Sequence, residues 1–523
     1  MDNHISILAF LTFHLLLVSH FRLAKCGNAT SICTKTPHPE LCNTLRSTFP
    51  DENDVVLRDL SLRETLAQAA DAHKLISEMD LSSFDELGRS AWTDCLELHQ
   101  DSIYQLNRSV FVGSKTDVQT WLSAAIANQQ TCHNGFLDFN LSSHLESFDQ
   151  LMMLNDFSTS LTNSLAINKA VIINASSSKQ KKRNSDDHFP YWVSAGDRRL
   201  LRSSGGSVKA DIVVARDGSG DYTTISAALD AAKRRRGSKR FVIYVKKGVY
   251  KENVEIKKSM KNLMFVGDGI DATVVTSNRN VQDGFTTFRS ATFAVSGEGF
   301  IARGMTFENT AGPHKHQAVA LRSSSDFSVF YDCSFKGYQD TLYVHSQRQF
   351  YRNCDVYGTV DFIFGDAVAV LQNCNIYVRK PMIDQKNTVT AQGRKDPNEN
   401  TGIIIHNSII TASPELRPVQ NLYASYLGRP WKKYSTTVFL KCVIDGLIDP
   451  AGWLPWSGDF GLTTLYYGEY MNVGGGATVR SRVKWPGFHV IRNAAEAGKF
   501  SVGNFLAGDS WLPATGVPFT AGL

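Results

Sequence analysis

The spacing of apolar residues changes near residue 210, which divides the chain into two regions of different predicted structure. Before that point, apolar and small side chains recur at intervals of three and four residues, the period of an amphipathic α-helix. The pattern shows most clearly in Leu62, Leu66, Ala69 and Ala70, in Trp92, Cys95, Leu96, His99, Ile103 and Leu106, and in Trp121, Ala124, Ala125, Asn128 and Cys132. An antiparallel helical bundle is the simplest fold for this region.

After residue 210, short apolar segments such as 241–245 and 263–267 alternate with turns rich in Gly, Asn and Asp. A similar frame of apolar residues around a cysteine recurs about every twenty residues, at Cys333, Cys354 and Cys374. A repeat of this length with strand-like alternation predicts a solenoid of stacked parallel strands. A propeller of four-stranded blades is the main alternative, but its repeat is about 40 residues or longer.

Four polar residues are spaced by the same interval as the repeat: Gln317, then Gln339 with Asp340, then Asp361. Neighbouring strands lie about 4.8 Å apart, so residues one repeat apart stack on one face. Two carboxyl groups that close tend to share a proton, which separates them into an acid and a nucleophile or base. The two amides beside them are suitable donors to an oxyanion. The set predicts acyl chemistry that needs neither a metal nor a cofactor.

Five short motifs carry a resemblance to a known family: 248–252 (GVYKE), 317–321 (QAVAL), 338–342 (YQDTL), 361–365 (DFIFG) and 427–431 (LGRPW). In this order and spacing they resemble the motifs of plant pectin methylesterases, and the likeness extends from about residue 210 to the C-terminus. The resemblance implies a right-handed parallel β-helix. It also implies that the enzyme hydrolyses methyl esters of galacturonate units in pectin, a cell-wall polymer, and releases methanol.

The resemblance assigns a role to each matching residue. Asp361 would be the nucleophile, and Asp340 the general acid that protonates methanol and then the base that activates water. Gln317 and Gln339 would stabilise the oxyanion. Arg429 would hydrogen-bond Asp361, orient it and keep it ionised.

Aromatic residues near these motifs are candidates for contact with a sugar ring or a methyl ester. We expect Phe364 and Trp431 to line the cleft and include Tyr338 as a further substrate-binding candidate. Trp453 is also near the motifs, and Trp456 is expected in the core.

Alternative interpretations apply to several of these residues. Taken singly, Asp340 and Asp361 are more typical of turns, and only their joint spacing with the Gln and Arg residues favours catalysis. A lyase or glycosidase on a β-helix is the rival enzyme class, and a non-catalytic binding protein is the third possibility. His314 and His316 suggest a metal, but no further ligands follow them, so no metal site is predicted. Gly248 and Tyr250 are interpreted as structural, and Glu252 as a buried or salt-bridged support.

The segment 121–132 resembles the pectin methylesterase inhibitor and invertase inhibitor family. That family implies a four-helix bundle with two disulfides. Cys33 and Cys42 enclose a proline-containing segment that a disulfide would close as a loop, and Cys95 and Cys132 lie on two predicted helices that a disulfide would join. We expect an inhibitor-like pro-domain over residues 27–175 that is autoinhibitory or needed for secretion.

The formal charge of +5 is unevenly distributed, about +9 from residue 210 onward and about −4 before it. A basic catalytic region favours an acidic polymer as partner. No nucleic-acid-binding motif is visible.

Features of secretion and processing are concentrated in the first 209 residues. The apolar run 5–18 predicts a signal peptide over residues 1–26, with an uncleaved anchor as the alternative because positive charge is missing before it. Glycosylation sequons occur at Asn28, Asn107, Asn140 and Asn174. A polar linker, 176–209, precedes a catalytic domain over 210–523 and contains Arg198, Arg199, Leu200 and Leu201. This motif resembles the family's processing site for subtilisin-like proteases. A secreted, monomeric cell-wall enzyme that inhibitor proteins also bind is expected.

The remaining cysteines leave disulfide pairing open. Cys354 and Cys374 are candidates to bridge adjacent coils, Cys333 is a candidate to pair with either, and Cys442 has no obvious partner. Some plant family members carry cysteines where this chain has Thr306 and Ser408, so their pairing does not transfer here.

Overall fold

The computed structural model describes residues 32–50, 52–152, 155–178, 209–235 and 239–523. A helical domain comes before residue 179, and a β-helical domain extends from residue 209 to the C-terminus. The predicted signal peptide, Asn28 and the motif 198–201 lie outside the described residues. Among the helices that the structure describes, none combines the length and apolarity needed to cross a bilayer.

The helical domain forms where the sequence predicted helices. Its elements are α1 (Pro39–Thr48), α2 (Asp54–Ser77), α3 (Glu86–Phe111), α4 (Lys115–Asp138), α5 (Ser142–Met152) and α6 (Phe157–Ser178). Side chains of Asn53, Asp85 and Ser114 accept hydrogen bonds from first-turn N–H groups of α2, α3 and α4, which fixes where these helices begin. The predicted apolar positions Leu62, Ala69, Leu106 and Ala125 lie together in one buried cluster.

Two disulfides hold the helical domain together, at the pairs expected from the sequence. Cys95–Cys132 joins α3 to α4, and Cys33–Cys42 closes the segment before α1. The second pair differs from expectation in one respect, because Cys42 lies inside a helix rather than in a loop. Pro39 is the first residue of α1, a position where proline's missing N–H costs no hydrogen bond.

The β-helical domain consists of three parallel sheets, and successive strands of the chain pass from one sheet to the next. Sheet A contains β1 (Ile212–Val214), β2 (Phe241–Val245), β5 (Leu263–Gly267), β8 (Ile301–Arg303), β11 (Ser328–Tyr331), β14 (Arg348–Arg352), β17 (Val368–Gln372), β20 (Gly402–His406), β23 (Thr436–Leu440), β25 (Tyr466–Tyr470) and β26 (Phe488–Val490). Sheet B contains β3 (Gly248–Lys251), β6 (Thr273–Ser277), β9 (Thr306–Asn309), β12 (Ser334–Lys336), β15 (Asp355–Gly358), β18 (Asn375–Val378), β21 (Ile409–Ala412) and β24 (Val443–Ile444). Sheet C contains β4 (Val254–Ile256), β7 (Phe293–Val295), β10 (Leu321–Ser323), β13 (Leu342–Val344), β16 (Ile363–Gly365), β19 (Asn387–Gln392) and β22 (Ser425–Gly428).

Four short helices complete this domain: α7 (Ile225–Ala232), α8 (Ala494–Gly498), α9 (Val502–Phe505) and α10 (Leu512–Thr515). Glu252 supports α7, because its carboxylate accepts the backbone N–H groups of Ile225 and Ser226, both at 2.9 Å. Tyr250 is buried in the core. Tyr250 is therefore structural, as predicted, and Glu252 is a structural support that is half-buried and acts through hydrogen bonds.

The coils stack in register, which confirms the predicted parallel β-helix. Each strand pairs with the equivalent strand of the next coil, as Leu321 does with Leu342 and Leu342 with Ile363. Apolar side chains point inward and form ladders, such as Phe330 stacked on Tyr351 with ring centroids 4.9 Å apart. Together such side chains fill one core that sheets A, B and C enclose.

The repeating cysteine frame marks one corner of the coil. There an Asp or Asn adopts the left-handed conformation, and the residue after it is buried in the interior. The pairs are Asp332 with Cys333, Asn353 with Cys354, Asn373 with Cys374, and Asn407 with Ser408.

The proposed bridges among the interior cysteines are absent, so this expectation was wrong. Cys333, Cys354, Cys374 and Cys442 are all free and buried. Cys354 and Cys374 occupy equivalent positions of adjacent coils, where side chains run parallel about 4.8 Å apart. A disulfide needs Cβ atoms about 3.8 Å apart. Because the cysteines instead contact backbone carbonyls, as Cys354 Sγ does at Phe330 O (3.4 Å), they act as small core residues.

Candidate active site

Asp340 and Asp361 lie side by side at the start of two neighbouring strands of sheet C. Asp340 comes two residues before β13 and Asp361 two residues before β16, and the register pairs Leu342 with Ile363. The backbones of the two aspartates are therefore one strand spacing, about 4.8 Å, apart. Both adopt the left-handed conformation, with φ of 63° and 52°. Asp and Asn residues at the corners of other coils adopt the same conformation, so it belongs to the coil geometry.

The Asp361 carboxylate is fixed by three donors. Arg429 donates from Nε to Oδ1 at 2.8 Å and from Nη2 to Oδ2 at 2.7 Å, a bidentate ion pair. Thr388 Oγ1 donates to Oδ1 at 2.7 Å and also accepts the backbone N–H of Asp361. A bidentate guanidinium restricts the orientation of the carboxylate that it binds.

Asp340 has a different environment from its neighbour. It is buried, and burial raises the pKa of its carboxyl group well above the usual range. The negative charge of Asp361 adds to the increase, Asp138 contributes less, and Arg429 opposes it. The pair thus places a carboxyl group whose protonated form is favoured by burial next to one held by a guanidinium.

Gln317 and Gln339 line the same cavity as the two aspartates, which has a volume of about 650 Å³. The two glutamines belong to adjacent coils, since the N–H of Ala318 donates to the carbonyl of Gln339 at 3.3 Å. Both side chains are partly exposed and border the cavity. The structure therefore brings together all five residues that the motifs singled out, including Arg429.

Aromatic residues form one wall of the cavity. Phe364 stacks on Tyr343 with ring centroids 4.2 Å apart, and Trp431 meets Phe364 edge-on at 5.9 Å. Phe364 and Trp431 therefore lie where they were expected.

Trp456 lies in the cavity, and its assignment to the core was wrong. It is 37% exposed, and the Arg429 guanidinium lies 4.4 Å above its ring. The core tryptophan is Trp453, which is stacked on Tyr467 at 4.1 Å. The pattern around the two residues is similar, so the sequence carried no signal of which one faces outward.

Tyr338 lies outside this cavity, contrary to its listing among the substrate-binding candidates. Its ring lies under the Arg379 guanidinium at 3.8 Å, and its hydroxyl accepts a 2.7 Å bond from Arg379 Nη2. It borders a separate groove with Pro313, His314 and Met382. The chain turns between residues 338 and 340, so Tyr338 points away from Asp340.

Thr388 was missed by the sequence reasoning although it contacts Asp361. It is the residue equivalent to Asp361 on the next coil, because Ile363 pairs with Thr390. The 380–386 segment lengthens that coil, so the regular interval of about twenty residues does not reach Thr388. Thr388 is identified only by the register of the paired strands and not by its spacing in the sequence.

Comparisons with known proteins identify the family. The family model described as Pectinesterase matches residues 211–509. The chain belongs to the pectinesterase family. It is therefore a carboxylic ester hydrolase. A second model, described as Plant invertase/pectin methylesterase inhibitor, matches residues 28–167.

Relatives of this pectinesterase match both domains. A probable pectinesterase/pectinesterase inhibitor 6 from Arabidopsis thaliana is 54% identical, covering 94% of this chain and 93% of its own. Pectinesterase 2 from Citrus sinensis is 50% identical and covers 94% of each chain. The two-domain organisation is thus shared along nearly the whole length.

Solved structures match the β-helical domain. A pectin methylesterase from carrot is 56% identical, with a TM-score of 0.60, and covers 61% of this chain and 100% of its own. A pectin methylesterase from Aspergillus niger is 29% identical, with a TM-score of 0.51, and covers 59% of this chain and 97% of its own. The matched share, 61% of this chain and the whole of the carrot chain, is about the size of the β-helical domain.

In this pectinesterase the helical domain forms one wall of the cavity. Thr131 on α4 contacts the hydroxyl of Tyr343 at 3.1 Å and Nε2 of His345 at 2.9 Å. Asp138, the last residue of α4, accepts the backbone N–H of Thr287 at 2.7 Å. Gly135 also lines the cavity. The site is therefore enclosed on one side by a domain that brings no candidate catalytic residue to it.

Several further sequence predictions concern the surface of this pectinesterase. Asn107, Asn140 and Asn174 are exposed, as glycosylation sequons require. Asn140 lies at the edge of the cavity. Among the described residues, no group of three or more His, Cys, Asp or Glu side chains is placed to hold a metal, and His314 borders the same separate groove as Tyr338.

Proposed function

We propose that this chain removes methyl esters from galacturonate units of pectin through an acyl-enzyme formed on Asp361. The observation that supports this most strongly is the pairing of Asp361, held by Arg429, with Asp340, whose pKa is raised by burial. The solved structures from carrot and Aspergillus niger that this chain resembles are pectin methylesterases, which supports pectin as the substrate. Methanol release without shortening of the polymer tests the reaction class and separates it from a lyase or glycosidase.

In the first half of the reaction, an Asp361 oxygen attacks the ester carbonyl carbon. The carbonyl oxygen becomes an oxyanion, which accepts hydrogen bonds from the side-chain amides of Gln317 and Gln339. When the carbon–oxygen bond to the methoxy group breaks, Asp340 transfers its proton to that oxygen and methanol leaves. The acyl group remains as an anhydride on Asp361, and Asp340 is now ionised.

In the second half, water hydrolyses the acyl-enzyme. Ionised Asp340 removes a proton from water, whose oxygen attacks the galacturonoyl carbon. The bond to Asp361 breaks, and the free galacturonate carboxyl group leaves. Asp361 is regenerated as a carboxylate and Asp340 as a protonated acid, so the cycle closes without a metal.

Replacing Gln339 with Ala should slow turnover by about 10²- to 10³-fold, the usual effect of removing one oxyanion donor. The measurement is the methanol-release rate of the separate β-helical domain, residues 210–523. Gln420→Ala is the matched control because Gln420 lies on a surface turn that does not line the cavity. Equal rates in Gln339→Ala and the control would exclude Gln339 as an oxyanion donor.

We further propose that the helical domain inhibits the enzyme while both domains belong to one chain. Thr131, Gly135 and Asp138 stand where a polymer would have to pass to reach Asp361. The contact is anchored away from the cavity by ion pairs, such as Arg348 to Asp117 at 2.6 Å. Trp121 Nε1 also donates to Asp326 at 3.0 Å. These direct contacts favour inhibition by covering the cavity.

Inhibition by the helical domain should weaken as the pH rises from about 4 to about 7. Burial is the main cause that raises the pKa of Asp138 to about 7 in the closed structure, with Asp94 adding a smaller increase. Once the domains separate, Asp138 regains an ordinary, lower pKa. When a contact raises the pKa of a carboxyl group, the contact is most stable below the pKa of the separated state. This stability is lost as the pH rises through the pKa of the closed state.

The measurement for this pH effect is the activity ratio of the uncut chain to the separate β-helical domain across that range. In Asp138→Asn the ratio should vary less with pH, because the amide does not titrate. A ratio that is constant with pH in the native sequence would contradict the proposal. Asp94 also has a raised pKa from burial, so a smaller residual slope is expected in the variant.

We propose the remaining features from sequence. The domain limits are residues 27–175 for the inhibitor-like domain, 176–209 for the linker and 210–523 for the catalytic domain. A signal peptide over residues 1–26 directs the chain to the cell wall, and a subtilisin-like protease cuts at residues 198–201. N-terminal sequencing of the secreted protein tests both cleavages.

A further inference from the structure

A second cavity, of about 630 Å³, lies between α3 of the helical domain and the far edge of sheet C. Lys257, Lys258 and Lys261, which follow β4, line its catalytic side. Phe288 borders both this cavity and the one that contains Asp340 and Asp361. The two cavities are therefore neighbours that meet at a single aromatic ring.

Three acidic residues of α3 face the cations of this region. Asp94, Glu97 and Asp101 are three and four positions apart, so they lie on one face of the helix and advance along it by about 4.5 and 6 Å. Arg289 Nε donates to Asp94 Oδ1 at 2.5 Å, and Arg289 also bonds Glu97. Lys258 forms an ion pair with Asp101. The helix thus presents a row of carboxylates at regular spacing to a basic surface.

Without α3, the basic surface of the β-helical domain carries more positive than negative charge. On the catalytic side, Glu298 lies 3.3 Å from Lys261. Glu255 lies 3.6 Å from Arg289. Lys257 and Lys258 keep no acidic partner at salt-bridge distance within the β-helical domain, among the residues that the structure describes. Unbalanced charge at this edge is what a polyanion would neutralise.

Phe288 links this basic surface to the reacting groups. The Arg322 guanidinium lies 3.5 Å over its ring and holds it in place. Along sheet C, β4 is separated from β16, the strand that follows Asp361, by β7, β10 and β13, which is four strand spacings or about 19 Å. A polymer chain lying across Phe288 would therefore have one sugar at Asp361 and others at the lysines.

We infer that Lys257, Lys258, Lys261 and Arg289 form a binding site for unesterified galacturonate units of the polymer, and that the α3 carboxylates occupy this site in the uncut chain. The inference rests on the proposed function, because that reaction converts neutral ester units into carboxylates. The site would hold a stretch that has already lost its methyl groups while the next ester lies at Asp361. Asp94, Glu97 and Asp101 imitate the row of carboxylates on such a stretch.

The test measures binding of an unesterified oligogalacturonate to residues 210–523 carrying Asp361→Asn, at low and high salt. Combined Lys257→Ser, Lys258→Ser and Lys261→Ser substitutions should weaken binding about tenfold and reduce its salt dependence. Binding of the fully methyl-esterified oligomer of equal length should change less than twofold. The uncut chain should bind the unesterified oligomer at least tenfold more weakly than the separate domain.

The matched control removes three lysines elsewhere: Lys239→Ser, Lys247→Ser and Lys251→Ser, all exposed and outside both cavities. Equal loss of binding in the control and the test variant would overturn the inference, since net charge alone would explain it. Equal affinity for inorganic polyphosphate of the same charge would also overturn it, because the site would not select carboxylates. Failure of the proposed function is measured separately, as methanol release by Asp361→Asn with all lysines intact.

Discussion

Asp361→Asn should lower the methanol-release rate of the β-helical domain by about 10⁴-fold or more, the scale seen when a nucleophile is removed. The amide keeps the size of the carboxylate and can still accept from Thr388, but it is not a nucleophile. The ion pair with Arg429 is also lost. The measurement is methanol release from esterified pectin, with thermal unfolding recorded to show that the variant is folded.

Asp366→Asn is the matched control for this prediction. Asp366 is also a buried aspartate close in sequence, but it does not line the cavity, and its Oδ1 accepts from Thr401 and from Gln392 at 3.1 Å. An asparagine oxygen can accept both bonds, so activity should remain within about threefold. Full activity in Asp361→Asn would remove the nucleophile assignment.

Cutting the linker and removing the helical domain should raise activity on polymeric pectin by about 10²-fold or more. A domain tethered through residues 179–208, which separate the end of α6 from the β-helical domain, has an effective concentration of order mM, far above the dissociation constant of an ordinary protein interface. The covered state therefore dominates in the uncut chain. The measurement compares kcat/KM of the uncut chain with that of the purified β-helical domain on the same pectin.

A substitution can separate the two domains without cleavage of the linker. It therefore distinguishes the effect of covering the cavity from other effects of cleavage. Thr131→Arg places an unpaired charge against Tyr343 and His345, so activity of the uncut chain should rise towards that of the separate domain. Ala70→Arg, on an exposed position of α2, is the control and should leave inhibition unchanged. Inhibition that persists undiminished in Thr131→Arg would contradict the proposed covering.

Much of the β-helical fold follows from local sequence. The frame around Cys333, Cys354 and Cys374 repeats because each coil turns the same corner, with a left-handed Asp or Asn before a buried small residue. Stacking in register then brings Asp340 beside Asp361 without any further information. Helix periodicity similarly predicts much of the helical domain.

Other features depend on contacts that the local pattern does not encode. Whether Trp453 or Trp456 faces the core depends on the path of the last coils, and Tyr338 points away because of one turn before Asp340. Cys354 and Cys374 are free thiols in the core, although their spacing suggested a bridge. The docking of α3 and α4 on sheet C joins residues that are more than 150 positions apart, as in Asp94 with Arg289, and no periodicity signals it.

The most direct test of the central claim is to capture the acyl group on Asp361. The Asp340→Asn variant lacks the base needed for hydrolysis, and an oligogalacturonate 4-nitrophenyl ester needs no acid to release its leaving group. Rapid mixing followed by peptide mass spectrometry should show about one equivalent of nitrophenol per enzyme and a galacturonoyl adduct on the peptide that contains Asp361. Release without an adduct, or an adduct on a different residue, would contradict covalent catalysis by Asp361.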